Sequence, residues 1–238
     1  MEYAIVTGCA SGIGKRVAEQ LHSKGVRVFG LDINKCEYSF STYVCEVSDE
    51  TQVIKCISKI AEYTDKVDYL VNCAGMLTIG KPLAIKDMSI KQWDAILRIN
   101  LRSVMIMIKH VYPFLKKADH AGIINLSSEQ TMRPQPGFLP YVVSKSGINA
   151  LTKYCAQEFL EDEIRVNAVA LGTVNTGILS SYCEEDACKL FSKKEESIPF
   201  GVMSADEAAN LIIYLLSKEN RYMTGEIVRA DGGGHLCV

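Results

Sequence analysis

Short, nearly continuous apolar runs alternate along this chain with longer segments whose apolar residues return at helical spacing. The runs at 3–7, 26–31, 43–47, 69–72, 123–126, 165–170 and 226–229 are predicted as strands, and the segments 13–24, 50–63, 90–115, 140–160 and 205–217 as helices. Strands that are apolar on both sides belong in a sheet covered on both faces, and repeated strand–helix–strand units make that sheet parallel. The expectation is an α/β fold, a doubly wound parallel sheet with helices on both faces. No repeat, linker or low-complexity tract divides the chain, so residues 1–238 are read as a single domain. The least regular stretch, 177–199, carries the charged runs Cys183-Glu184-Glu185-Asp186 and Lys193-Lys194-Glu195-Glu196 and is read as a substrate flap, with a solvated excursion as the alternative.

Composition narrows the function classes. A chain of 238 residues buries roughly 70–75% of its unfolded surface and needs no covalent staples. A net charge of -2 without a basic stripe argues against a nucleic-acid partner. The nine cysteines are odd in number and contain no Cys-x-x-Cys pair, and the four histidines (His22, His110, His120, His235) lack ligand spacing. Reduced thiols and no metal site are therefore expected, with Cys9 in the glycine turn read as a small space-filling residue and a reporter on cofactor binding as the alternative. A first strand starting at Tyr3 leaves no room for a signal peptide, and no apolar run approaches the ~18 residues of a membrane span. The expected setting is cytoplasmic, with no membrane partner.

Gly8, Gly12 and Gly14, with Ser11 and Ile13 among them, form a G-x-x-x-G-x-G turn between the first strand and the first helix. Glycines let a backbone turn sharply and approach a pyrophosphate, and the helix N-terminus that follows offers free N–H groups and positive dipole. Asp32, next to Ile33 at the end of the second strand, has the position of an acid that binds adenosine ribose hydroxyls and repels a 2′-phosphate, which favours NAD over NADP. Its other reading is a turn or cap residue. Tyr141 and Lys145 are i and i+4 and share a helix face, with Pro140 suited to the first turn. An ordinary helix pair is the alternative there, as strand-end turn residues are for Ser127-Ser128 and a cap is for Asn100.

The segment 7–14, Asn72-Cys73-Ala74-Gly75, Asn100, Ser128, Tyr141-x-x-x-Lys145 and the segment 224–233 follow one another in the order and spacing of the short-chain dehydrogenase/reductase family, which the chain resembles from residue 7 to 233. The resemblance implies a Rossmann-type fold with a seven-stranded parallel sheet, a nicotinamide cofactor, and a homotetramer or homodimer with the helix around 104–108 and the Tyr141 helix in the contact. It implies that Asn72, Ala74 and Gly75 line the adenosine side, that Glu46 and Val47 lie near the adenine, and that Gly172, Val174 and Thr176 touch the nicotinamide carboxamide. Three departures stand out: Cys73 replaces an Asn, Glu46 an Asp, and Leu171 a Pro.

In the roles the resemblance implies, Tyr141 is the general acid/base, and Lys145 lowers its pKa and holds the nicotinamide ribose. Ser128 hydrogen-bonds the substrate oxygen, and Asn100 anchors a proton-relay water. The expected function is NAD(H)-dependent interconversion of a small or medium secondary alcohol and its ketone. The alternatives are a 3-oxoacyl-(carrier-protein) reductase using NAD(P)H, disfavoured by Asp32 and by the acidic run Glu161-Asp162-Glu163 but not by Lys116-Lys117, and a non-catalytic NAD-binding regulator. Substrate contacts are assigned to Glu129, Gln135 and Ile178, and Arg133 is a candidate partner for a substrate carboxylate.

Overall fold

The strands send alternate side chains into two separate cores, as the two-residue period of a strand requires. In the computed structural model, which describes residues 1–78, 81–176 and 196–237, Ile5, Phe29, Leu31, Leu70, Ile123 and Val166 enter one core, while Ala4, Val6, Val28, Val71, Ile124 and Val169 enter the other. These residues belong to β1 (Tyr3–Thr7), β2 (Arg27–Asp32), β4 (Tyr69–Asn72), β5 (Gly122–Ser128) and β6 (Arg165–Leu171). With β3 (Ser41–Val44) and β9 (Ile227–Ala230) they form a seven-stranded parallel sheet in the order β3-β2-β1-β4-β5-β6-β9. The expected doubly wound fold is therefore present.

Helices cover both faces. The apolar stripes of α2 (Glu50–Ala61), α4 (Ser103–Leu115) and α5 (Leu139–Glu158) close the first core. Val17, Ala18 and Leu21 of α1 (Gly12–Ser23) close the second, with Ala208, Ala209, Ile212 and Leu215 of α6 (Ala205–Leu216). Asp49 caps α2 by accepting from Thr51 N and Gln52 N, and a reciprocal Ser204–Glu207 capping box starts α6. No helix among the described residues is long and apolar enough to cross a membrane.

Three sequence expectations change. The third strand lies at 41–44 rather than 43–47, because Cys45 N donates to Asp32 O and the chain then leaves the sheet toward α2. The predicted helix 90–115 is three pieces: α3 (Ile90–Leu97), a π-helical turn at Arg98–Arg102, and α4. Helical periodicity cannot show one inserted residue in such a turn, and π turns recur at functional sites. A second sheet, β7 (Val174–Asn175) with β8 (Met203–Ser204), was not foreseen, since two-residue strands carry no pattern. The flap expected at 177–199 lies outside the described residues except for 196–199.

The sheet order reverses between β1 and β4, from which the chain runs outward in both directions. The carboxyl ends of the strands on either side of that switch form the crevice where open α/β sheets bind ligands.

Candidate active site

The glycine-rich turn is held by backbone contacts that exclude any larger residue. Gly8 has φ +69° and lies so close to the β4 edge that an added Cβ would stand 2.9 Å from Ala74 N. A Cβ at Gly14 would stand 2.2 Å from the Gly8 carbonyl oxygen. Thr7 Oγ1, accepting from both Cys73 N and Ala74 N at 3.1 Å, ties the turn to the 72–75 segment. From the other side the Thr176 side chain packs on Gly12, and Gly172 lies close against Asp231. The turn, Asn72–Gly75 and the 172–176 segment are thus in one place, as the sequence assigned them.

This cradle fits a dinucleotide pyrophosphate. Helix α1 has no acidic residue in its first turn, and Ser11 makes no side-chain cap, so the first N–H groups stay open to an anion. Asp32 ends β2 beside them, its carboxylate accepting from Ala10 N at 3.0 Å and Asn34 N at 2.9 Å. Each carboxylate oxygen accepts more than one hydrogen bond, so lone pairs remain for sugar hydroxyls. The neighbouring Lys35 pairs with Glu37 at 3.1 Å. Ile33 is largely exposed at the rim, and Val47 is buried. The Glu46 carboxylate is already taken by Ser48 Oγ and Arg98, which lower its pKa.

Ser128 ends β5, and α5 begins eleven residues later at Leu139, with Pro140 in its first turn. Tyr141 therefore enters the site at the positive end of α5. Its phenol is hydrogen-bonded with Ser128, which favours the phenolate, but burial and the nearby Glu129 carboxylate outweigh that and raise its pKa. The expected lowering by Lys145 is not what the structure shows. The Lys145 ammonium sits 5.6 Å from the Tyr141 ring centroid and donates to Leu126 O at 2.7 Å. Its charge faces a ring and a backbone carbonyl, and burial lowers the Lys145 pKa to about 8. Burial also pushes the Cys73 thiol beside it up to about 12.

Asn100, fully buried in the π-helical turn, acts as a strut. Its Oδ1 accepts from Met76 N and its Nδ2 donates to Met76 O, both at 2.8 Å, and Nδ2 also reaches Ser144 Oγ at 3.1 Å. Ser144 Oγ in turn donates to Tyr141 O at 2.7 Å. Asn72 is equally buried and donates to Asn125 Oδ1 at 2.8 Å, while Asn125 donates to Thr152 Oγ1 at 3.0 Å. Sequence reading missed Thr7 Oγ1, Asn125, Ser144 and Thr152 as supports. A lone Asn inside the apolar run of β5 was the visible signal for Asn125.

The substrate side is less complete. Glu129 turns its carboxylate toward Gly234, 3.8 Å from where a side chain there would begin. Gln135 accepts from Phe138 N through its backbone carbonyl. Arg133 is drawn away from the substrate role considered for it, donating instead to Gly234 O at 2.8 Å and Cys237 O at 2.6 Å. Ile178 lies outside the described residues.

Comparison with known proteins agrees with this geometry. A family model described as enoyl-(acyl carrier protein) reductase matches residues 8–235. The 3-oxoacyl-(acyl-carrier-protein) reductase of Thermotoga maritima is 31% identical, over 96% of this chain and 96% of its own. Among solved structures, the aldohexose dehydrogenase of Thermoplasma acidophilum superposes with a TM-score of 0.92 at 28% identity, over 100% of this chain and 95% of that one. A 3-ketoacyl-(acyl-carrier-protein) reductase of Brucella melitensis, solved with NADH, superposes with a TM-score of 0.88 at 26% identity, over 98% of each chain.

The buried ammonium makes a stability prediction. Lys145 holds its proton up to 10.5 when unfolded but only to about 8 when folded. Below pH 8 the folded protein carries an unfavourable buried charge, and between these values stability rises with pH because the unfolded chain binds more protons. Lys145→Met removes that cost, by up to about 3 kcal/mol at pH 7. Thermal denaturation should show the variant melting higher than the parent at pH 7, with the gap closing toward pH 10, while turnover is lost.

Proposed function

Since this chain belongs to the short-chain dehydrogenase/reductase family, we propose that it is an NAD(H)-dependent oxidoreductase that interconverts a small or medium secondary alcohol and its ketone. Membership makes it an oxidoreductase of a family that uses NAD(P). The finer reading is supported by one observation: the Tyr141 phenol is hydrogen-bonded with Ser128 and flanked by Lys145, whose ammonium lies 3.7 Å from where a side chain on Gly75 would begin.

Bound in that cradle, NAD supplies a nicotinamide ring that accepts or returns the hydride. Gly8, Ser11, Gly12, Ile13 and Gly14 hold its pyrophosphate, Asp32 and Ile33 its adenosine ribose, and Gly172, Val174 and Thr176 its nicotinamide end. In alcohol oxidation Tyr141 takes the hydroxyl proton, and in ketone reduction it gives one. The Ser128 hydroxyl donates to the substrate oxygen as negative charge grows there. Lys145 supplies a cation and donor that anchors the nicotinamide ribose. Asn100 keeps the loop at Met76 and the helix at Ser144 in register, and anchors a relay water toward Lys145.

A second reading, reduction of a 3-oxoacyl thioester on a carrier protein, is supported by the names of the matching family model and relatives. The acidic run at 161–163 opposes it less than its composition suggests. Asp162 is partly neutralised by Lys116 at 3.0 Å and accepts from Tyr112 Oη at 2.6 Å. For assembly, the exposed Met105, Val143 and Tyr154 on α4 and α5 support a contact between copies of this chain.

Tyr141→Phe should lower kcat by about 10²–10⁴, while NADH affinity, read by fluorescence titration, changes by less than about threefold. A variant that still turns over would remove Tyr141 from proton transfer. Because the Tyr141 pKa is raised, the base form is scarce at neutral pH. The kcat/KM for alcohol oxidation should therefore climb up to about tenfold per pH unit through the alkaline range, whereas ketone reduction stays flat at neutral pH. A panel of secondary alcohols, ketones and 3-oxoacyl thioesters assayed with both cofactors should show NAD(H) favoured at least about tenfold over NADP(H). Preference for NADP(H) would refute the assignment of Asp32, and preference for thioesters would replace the first reading by the second.

A further inference from the structure

Cys9 and Cys36 are far apart in sequence, yet their sulfurs meet 3.9 Å apart at the adenosine end of the cradle. We propose that this pair is an oxidisable dithiol which a hydroperoxide converts to a disulfide, and that the bond weakens dinucleotide binding. The proposal rests on the cofactor site described above.

The two cysteines differ in ways that suit sequential oxidation. Cys9 is fully buried in the glycine-rich turn, with its sulfur packed over Gly30, where an added Cβ would stand 2.6 Å from it. Cys36 is only partly buried, in the segment between β2 and β3 that forms neither helix nor strand. A peroxide reaches Cys36 first. Burial, the Cys36 sulfur and the Asp32 carboxylate all push the Cys9 thiol up, so Cys9 reacts second.

In the first step the Cys36 sulfur bonds one peroxide oxygen and the O–O bond breaks. The departing oxygen leaves as water with the thiol proton, and Cys36 becomes a sulfenic acid. In the second step the Cys9 sulfur bonds the Cys36 sulfur, the S–O bond breaks, and hydroxide leaves as water with the Cys9 proton. Two thiols and one hydrogen peroxide become one disulfide and two waters; the two sulfurs lose the two electrons that the peroxide oxygens gain.

A disulfide needs an S–S distance of ~2.05 Å, so the pair must close by nearly half of its present separation. The turn cannot supply this movement, because Gly8 and Gly14 are already in backbone contact with Ala74 and with each other. The closure therefore falls to Cys36, by rotation of its side chain and by movement of the segment that carries it. That segment starts from Asp32, whose carboxylate bonds Asn34 N and Ala10 N, and it returns to the turn where Tyr38 Oη donates to Ala10 O at 2.9 Å. Pulling Cys36 inward therefore shifts the ribose-binding acid against the pyrophosphate cradle. A misplacement of ~1 Å costs as much as 10²-fold in the rate of a positioned reaction, and a displaced ribose-binding acid loses hydrogen bonds for the same geometric reason.

The test uses the full chain, first reduced and then treated with hydrogen peroxide in steps, with NADH affinity followed by fluorescence. Disulfides are mapped by mass spectrometry as a link between tryptic peptides 1–15 and 36–55. Oxidation should produce that link and weaken NADH binding roughly tenfold, dithiothreitol should reverse both, and saturating NADH should slow link formation. Cys36→Ser should bind NADH like the reduced parent and show neither the link nor the loss, which separates Cys36 from Cys45 on the same peptide. Two results overturn the proposal: a reduced protein that binds NADH but gives no link, or a linked protein whose affinity is unchanged. A reduced protein that binds no NADH at all overturns the cofactor site itself, whether or not the link forms.

Discussion

The close approach of two backbones at the carboxyl edge of β1 and β4 constrains much of this molecule. Between Gly8 and Ala74, and between Gly14 and Gly8, there is no room for a single added carbon. That approach lets α1 start directly against the sheet with its first N–H groups uncapped, an arrangement in which a helix terminus can receive an anion. Thr7 Oγ1 then stitches β1 to the chain leaving β4, fixing the crevice at the switch point of the sheet.

Around this edge most buried polar groups are held by other polar groups, although Asn72 Oδ1 and Gln130 Oε1 have no partner among the described residues. Asn72, Asn125 and Thr152 run from β4 through β5 into α5. Asn100 and Ser144 link the loop at Met76 to the start of the same helix. Both chains converge on α5, the element that carries Tyr141 and Lys145. A one-residue expansion of the helix at Arg98–Arg102 sets Asn100 in this position; it departs from regular geometry beside the proposed chemistry.

The charges follow a different rule from the scaffold. A fully satisfied core would not keep an ammonium where burial holds its pKa at about 8, nor a phenol whose pKa is raised by burial and a neighbouring carboxylate. The buried ammonium lowers stability, and both groups are the kind expected where proton transfer is the purpose. Tyr141 is thus held as phenol, with the Lys145 ammonium facing its ring.

Much of this was legible in the sequence because its cause is local. Apolar runs and helical spacing determined the strands, the helices and the parallel sheet, since period and burial follow from backbone geometry. The glycines at 8, 12 and 14 were legible because no other residue fits the turn, and the joint spacing of Asn100, Ser128, Tyr141 and Lys145 was legible as a family pattern. What depended on distant partners was not. Periodicity hid the π-helical turn, and two-residue strands left no trace. Arg133 was read toward substrate, yet the carbonyls of Gly234 and Cys237 claim it. The partners of the Glu46 carboxylate, Ser48 and Arg98, could not be read from its place in the sequence. The sign of the Tyr141 shift also lay beyond sequence, because it depends on burial and on where the Lys145 ammonium points. Composition marked Cys9 as a space filler and gave Cys36 no role; only folding β2 against β1 brought their sulfurs together. By itself the sequence determined the strands, the helices and the glycine turn, because local geometry selects them. The tertiary structure alone decided the charge states and partners of the site residues, because desolvation and contact arise only when distant segments meet.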